Sequence, residues 1–245
     1  MPTMPTTPSF FRDRQQARLF GMLVLASTCC GLLVTVRLAW KWQSLPEAHT
    51  WSAFVEARGA TYLFLIWNLF LAWIPYLAAL RVDQLQRHAA GWFPQGLGLL
   101  VWSAFLPNAP YIVTDFVHFR PLAPIPLWFD LVLLFASAST GLLLGLLSLR
   151  ETHGALRRWF SASATWLLIV LAMGLAGFGV WLGRFQRWNS WDLLTRPRAL
   201  LHDIVGTLSE RHELLHALGI SALLSGILLV GYGILSTLLE RPSAT

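Results

Sequence analysis

The sequence predicts an all-α protein, a polytopic transmembrane helix bundle of about six spans. Hydrophobic residues make up 56% of the chain and charged residues only 12%, about half the charged share of an ordinary soluble domain. Several uninterrupted apolar windows exceed the roughly 18 residues that mark a membrane-spanning helix. Most of the 13 Trp residues lie near the ends of these windows, as expected for the interfacial belt of a multispanning protein.

Six apolar segments have the length of a span, and we predict that they form one transmembrane domain over residues 18–240. Flexible tails are expected for residues 1–17, which are rich in Pro, Thr and Arg, and for residues 241–245. The first apolar run follows basic residues, as in a signal peptide, but its full length and the lack of a clear cleavage site favour a retained helix. The predicted spans cover approximately residues 19–36, 60–80, 96–116, 127–149, 160–182 and 217–239.

A broken segment, Leu106 to Asp130, follows the third span. It contains five Pro residues, and Pro removes a backbone donor that nothing in hydrocarbon replaces. Such a break is tolerated where it is buried in protein or lines a wet cavity, and ionisable groups at this depth are candidates for function. In the second span, Asn68 could bond to another helix or into this segment. The polar residues of the segment include Asn108, Asp115, His118, Arg120 and Asp130.

A long polar segment, residues 183–216, separates the fifth and sixth spans and should contain an amphipathic helix lying at the membrane interface. Six spans place both termini on one side, so this segment shares the other side with loops 37–59 and 117–126. When the long segment is set aside, the balance of Lys and Arg favours cytoplasmic termini. The apolar stripe at helical spacing consists of Leu200, Leu201, Ile204, Val205 and Leu208.

The positive net charge, +6, comes from Arg residues that are spread among the loops. This distribution predicts contact with the lipid bilayer and its anionic headgroups. It argues against a nucleic-acid partner, which would need a clustered basic patch. The two cysteines are the neighbours Cys29 and Cys30, which cannot easily form a disulfide and lack the spacing of a metal site. No cofactor is expected.

The first candidate site lies in the broken segment. Asp115 and His118 are three residues apart, so a helical turn would place them on one face. They could share a proton, act as a base and its orienting partner, or bind a divalent metal. Alternatively, these residues only stabilise the ends of helices, and Asp130, in a first helical turn, complements the helix dipole. Catalysis by Asp115 and His118 therefore stays open, and the sequence leaves undecided whether the chain is an enzyme.

The second candidate site is GRFQRWNSWD, Gly183 to Asp192. Arg184 and Arg187 are three residues apart and could grip a carboxylate, a phosphate or a lipid headgroup with bidentate bonds. Alternatively, the stretch is an ordinary interfacial anchor of Arg and Trp. Because this stretch and the broken segment share one membrane side, their carboxylates and arginines can form a charge network. Such a network would hold the bundle together or line a polar cavity.

A third pattern, HELLH, comprises His212, Glu213 and His216. It matches the zinc-protease pattern H-E-x-x-H, in which both imidazoles bind the metal and the glutamate activates a water. The pattern recurs by chance and needs a third ligand. We therefore predict that no metal binds here, although these three residues are the candidate ligands that a metal would use. We interpret the stretch as the polar start of an interfacial helix.

Two strings, LPNAPYIVTDFVHF and GFGVWLGRFQRWNSWD, together with PLWFDLVLLFASASTGLLLGLLSL between them, resemble the domain-of-unknown-function 1361 family of bacterial integral membrane proteins. The resemblance covers residues 60–235. It implies a multi-pass protein of the bacterial inner membrane with no established activity, and it transfers no catalytic residue. The matching polar positions, which we take as candidate ligand-binding residues, are Asn108, Tyr111, Asp115, His118, Asp130, Arg184, Arg187, Asn189 and Asp192.

Three functions remain open on the sequence. The first is a membrane-embedded module whose polar site takes an anionic or amphiphilic ligand, such as a lipid headgroup, in transport or lipid handling. The second is an intramembrane enzyme that uses Asp115 and His118. The third is a structural or partner-binding membrane subunit, which needs no site.

Overall fold

A computed structural model of the chain describes residues 10–43, 62–121 and 125–239. Most of the two predicted tails and of loop 37–59 lies outside these ranges. Six stretches in the described residues are long and apolar enough to cross a membrane, which confirms the all-α fold and makes the chain a multispanning membrane protein. The helices are α1 (Arg14–Gln43), α2 (Leu63–Arg87), α3 (Trp92–Phe105), α4 (Asn108–Tyr111), α5 (Leu127–Leu156), α6 (Ala162–Phe185), α7 (Asp192–Thr195), α8 (Pro197–Ser209) and α9 (Arg211–Leu239), with a 3-10 segment, Ile112–His118, after α4.

Helix α5 lies at the centre of the bundle. In its most apolar window 56% of the residues are buried, against 17% for α1. It packs most extensively against α2, and it supplies buried leucines to both hydrophobic clusters of the protein, Leu133 and Leu144 to one and Leu149 to the other. Helices α6 and α9 pair with each other beside this centre. Because α1 is mostly exposed apolar surface, its outer face is suited to lipid.

The third span is broken where the prolines predicted it. Pro107 and Pro110 lack the backbone donor that a continuous helix needs, so α3 ends at Phe105 and the chain continues through α4 and the 3-10 segment. The side-chain amide of Asn108 donates to the carbonyl oxygen of Phe105 at 3.0 Å, which satisfies an acceptor that the break leaves without its helical partner.

The broken segment is buried against α5 because α5 carries glycine at the contact. A Cβ atom at Gly141 would lie 3.0 Å from the carbonyl oxygen of Ala109 and 2.7 Å from Cδ1 of Ile112. Small residues permit this approach of two backbones inside a membrane bundle. The non-helical backbone at membrane depth is therefore shielded by protein on this side rather than by lipid, as such backbone requires.

Helix α1 is longer than the predicted span. It begins at Arg14 because Asp13 caps it, its Oδ1 accepting the backbone N–H of Gln16 at 2.8 Å. At its other end it continues past Arg37, whose side chain is buried rather than solvated. Its 30 residues span about 45 Å, more than the hydrocarbon thickness of about 30 Å.

The predicted amphipathic stripe lies on α8. Leu200 is buried against the bundle, whereas Leu201, Val205 and Leu208 are exposed. Part of the apolar face of α8 therefore packs on the bundle and part is exposed, as expected for an interfacial helix beside a bundle. The position of α8 at the membrane interface stays a prediction.

Candidate functional site

A buried ion pair joins the broken segment to the end of α6. Asp115 is only 1% exposed, and its Oδ1 accepts Nη2 of Arg184 at 2.5 Å. Nε of the same arginine donates to the hydroxyl of Thr114 at 2.8 Å, and Asn68 of α2 donates to Oδ2 of Asp115 at 2.8 Å. Both carboxylate oxygens therefore have partners, as a buried charge requires.

The local structure explains why Arg184 can take this position. It lies in the last turn of α6, where a cation is favoured by the helix dipole. Its guanidinium carbon is 4.4 Å from the ring centroid of Tyr111, a cation–π distance that offsets part of the lost hydration. Arg187 does not share this environment, because its backbone has a φ of 60° and its side chain is exposed.

A second buried ion pair involves Asp130 and a residue that sequence reasoning missed. Arg37 of α1, which has no exposed surface, donates to Asp130 from Nε at 2.6 Å and from Nη2 at 2.9 Å. Its guanidinium lies 3.9 Å from the ring centroid of Tyr62, whose hydroxyl donates to the carbonyl oxygen of His118 at 2.9 Å. Burial and the charge of Asp130 raise the pKa of Tyr62, which keeps its phenol a donor.

The loop after α6 is held by Asp192, which is buried. Its Oδ2 accepts the backbone N–H of Asn189 at 2.9 Å, and its Oδ1 accepts Nη2 of Arg196 at 3.0 Å. These bonds, the backbone N–H first, lower the pKa of Asp192. Asp192 therefore holds the conformation of the loop. Its ion-pair partner is Arg196 rather than Arg184 or Arg187.

A cavity of about 480 Å³ lies between α2, α3, α4, α6 and the segment that leads to α8. The described residues that line it include no charged side chain. The amide of Asn108 donates to the hydroxyl of Ser190 at 2.9 Å across one wall, which ties α4 to the loop after α6. The polar lining side chains at this end are Asn68, Asn108, Tyr111, Asn189 and Ser190.

The cavity changes from polar to apolar with depth. Gly183 lines it at the end of α6, and Leu175 lines it two turns deeper in the same helix, a rise of about 12 Å. The ion pair of Asp115 and Arg184 lies directly behind the polar end, since Asn68 bonds to the carboxylate and Tyr111 stacks on the guanidinium. The pair thus fixes the orientation of two lining side chains.

The candidate histidines, His118, His212 and His216, do not line this cavity. The His118 ring packs on Phe64, with centroids 4.8 Å apart. His216 of the HELLH stretch packs on Phe185, with centroids 4.8 Å apart, and its Nδ1 is 3.4 Å from Nε1 of Trp181. Within residues 10–43, 62–121 and 125–239, no group of three or more His, Cys, Asp or Glu is placed to hold a metal ion. His212 and Glu213 lie in the first turn of α9.

A family model described as "Protein of unknown function (DUF1361)" matches residues 67–227. No curated protein and no solved structure matches the chain. The matched region contains the cavity, Asp115 and Arg184, whereas Arg37 lies before it. Because the match covers more than half of the sequence, the chain belongs to the DUF1361 family, as the resemblance predicted.

Proposed function

For this member of the DUF1361 family, we propose that the cavity between the broken segment and the loop after α6 binds an amphiphilic small molecule, in transport or lipid handling. The observation that carries the proposal is the cavity itself, with neutral hydrogen-bonding groups at one end and apolar walls two helical turns deeper. Ligand pockets commonly combine apolar walls with a few placed polar groups.

The lining favours a ligand with an apolar chain. Phe178, Leu175 and Leu71 line the deeper part, and burying each CH₂ group there contributes about 0.8 kcal/mol if the chain comes from water. A ligand entering from lipid gains little from burial, so its polar end must provide the selectivity.

The polar end favours a neutral headgroup over an anionic one. Arg184 lies directly behind the polar end, and its guanidinium already bonds to Asp115 and Thr114. An anion would have to compete with a buried carboxylate for it. Amide and hydroxyl groups such as those of Asn108 and Ser190 instead donate to and accept from hydroxyl or ester groups.

The geometry gives less support to an intramembrane enzyme. Asp115 bonds through both oxygens to Arg184 and Asn68, and the His118 ring packs on Phe64. A base and its orienting partner need a direct hydrogen bond or one bridging water. The same features suit a rigid wall that positions Asn68 and Tyr111.

We also propose that the protein resides in the bacterial inner membrane with both termini in the cytoplasm. The family resemblance supports the membrane, and the excess of Lys and Arg on the terminal side, with the segment 183–216 set aside, supports the orientation. Cysteine accessibility scanning of the loops in intact cells tests this orientation. Labelling, by an impermeant reagent, of cysteines placed in the loops on the same side as the termini would contradict this orientation.

The binding proposal is tested with full-length protein in detergent and two radiolabelled probes of equal chain length, a monoacylglycerol and a fatty acid. We expect the monoacylglycerol to bind more tightly. Ala104→Phe, which fills the cavity wall, should abolish binding, whereas Ala222→Phe on the exposed face of α9 should not. Equal binding by the two variants would contradict a ligand in this cavity. If the unmodified protein binds neither probe, a structural subunit without a site is the better description.

A further inference from the structure

A second cavity, of about 570 Å³, lies at the opposite end of the bundle from the first. It is formed by the residues that precede α1, by the first turn of α1 and by the C-terminal parts of α5 and α9. These elements meet at the face where the first and the last described residues lie. Its lining is polar, with arginine, histidine, tyrosine and carboxylate side chains, so it requires a ligand of different chemistry.

Two arginines line this cavity without close ion pairs. Arg12 reaches Asp13 and Glu151 only at 3.5 Å, and Arg150 reaches Glu151 only at 3.6 Å. Protein N–H···O bonds are normally about 2.7–3.2 Å long, and a guanidinium carries several donors. Some other arginines in the described residues have closer ion pairs, 2.5 Å for Arg184. Both cavity arginines therefore keep strong donors for a ligand.

The carboxylates of the cavity are already bonded elsewhere. Glu151 is 3% exposed, and its Oε2 accepts the side-chain amide of Gln16 at 2.9 Å. Asp13 caps α1 through the backbone N–H of Gln16 at 2.8 Å. Each carboxylate is thus fixed by the start of α1, and the two guanidinium groups are the less satisfied charges of the cavity.

The far wall adds one neutral donor. His153 Nδ1 and the hydroxyl of Tyr232 share a hydrogen bond of 2.7 Å, and both side chains line the cavity. This pair ties the end of α5 to α9 and leaves the other imidazole nitrogen for further bonding. Phosphoryl oxygens are strong acceptors and are bound by arginine with charge-assisted bonds.

The depth of the cavity matches the level of lipid phosphate groups. Helix α5 has 30 residues, about 45 Å, so each end projects about 7 Å beyond a centred hydrocarbon layer of about 30 Å. Arg150 precedes the last residue of α5 by six positions, about 9 Å. It therefore lies near the boundary between hydrocarbon and headgroups.

We propose that Arg12 and Arg150 form a binding site for a phosphoryl group in this cavity. The group is carried by a phospholipid headgroup or is free phosphate, and the chemistry of recognition is the same. The site is independent of the amphiphile cavity at the other face.

The test uses the full-length protein in detergent. Native mass spectrometry measures retention of phosphatidylglycerol against diacylglycerol with the same chains, and calorimetry measures binding of inorganic phosphate. We expect phosphatidylglycerol to be retained at least about tenfold more strongly than diacylglycerol, as one or two charge-assisted bonds imply. Phosphatidylglycerol binding without inorganic phosphate binding supports the site and assigns it to lipid. Binding of inorganic phosphate supports it with a soluble ligand.

Two variants locate the site. Arg12→Gln and Arg150→Gln should each weaken the binding about tenfold, whereas Arg81→Gln, an exposed arginine that does not line the cavity, should leave it unchanged. The proposal is overturned if all three variants bind as the unmodified protein does. It is also overturned if the unmodified protein neither prefers phosphatidylglycerol nor binds phosphate, a result that does not depend on any variant folding.

Discussion

Replacing Arg184 by glutamine should destabilise the bundle more than any substitution of an exposed arginine. The change removes the 2.5 Å bond to Asp115 and the 2.8 Å bond to Thr114. Asp115, only 1% exposed, would be left as a buried carboxyl group with Asn68 as its remaining bonded partner. Breaking one member of a buried pair costs about 3–5 kcal/mol, which is the loss in unfolding free energy that we expect.

The double variant separates the charge from the packing. Asp115→Asn with Arg184→Gln removes both charges and leaves two amides that can still bond to each other. We expect it to be less unstable than either single variant, with a coupling energy of about 2–3 kcal/mol between the two sites. The measurement is equilibrium unfolding in mixed micelles of detergent and sodium dodecyl sulfate, followed by tryptophan fluorescence.

The control is Arg187→Gln, three residues away on the exposed surface. It should change the unfolding free energy by no more than about 0.5 kcal/mol. If the single variants at Asp115 and Arg184 have additive effects, within about 0.5 kcal/mol, the ion pair does not stabilise the site and our account of it is wrong.

Three further predictions concern other contacts. Arg37→Gln should loosen α1 and raise the maleimide reactivity of Cys30, which is 3% exposed, because Asp130 loses its bidentate partner. Asp192 has a lowered pKa in the folded protein. Its contribution to stability is therefore present above the unfolded pKa of about 3.9 and is lost as pH falls through the lower folded pKa. Thermal unfolding between pH 6 and 3 should show this loss. Gly141→Ala should lower the unfolding midpoint, whereas Gly174→Ala should not.

Each of these has its own control. Labelling of Cys30 is measured in a Cys29→Ala background, and Arg18→Gln is the matched variant at an exposed arginine. Equal labelling rates in the Arg37→Gln and Arg18→Gln variants would refute the anchoring of α1 by Arg37. Asp192→Asn should lack the acid-dependent part of the unfolding curve, so an unchanged curve would assign it to another group. Equal midpoints for Gly141→Ala and Gly174→Ala would contradict the close approach of α4 to α5.

The spans and the break were predictable because they depend on local composition. Apolar runs of the required length indicate helices whatever their neighbours are, and Pro107 and Pro110 interrupt a helix through their own covalent structure. The ends of α1 were not predictable in this way. Its extension depends on Asp13 as a cap and on the ion pair that buries Arg37. In the sequence, a charged residue beside an apolar run has the same pattern whether its side chain is buried or extends to the lipid headgroups.

The candidate site was predictable only in part. Span parity places Asp115 and Arg184 on one membrane side, and the structure brings them into contact. The partner of Asp130 could not be found this way, because Arg37 is 93 residues away in sequence and meets it only when α1 packs on α5. Asn68 was recognisable as an interhelical donor, but its bond to Asp115 depends on the path of the broken segment.

The pairing of Arg37 with Asp130 also has a consequence for the order of events during synthesis. Asp130 is made 93 residues after Arg37, roughly 5–20 s later at ordinary translation rates. Until then Arg37 must extend to the headgroups, so α1 enters the bilayer in a shallower register and settles only when α5 arrives. Nascent chains arrested before Asp130 should therefore show a shifted α1 in glycosylation mapping, and chains arrested after α5 should not.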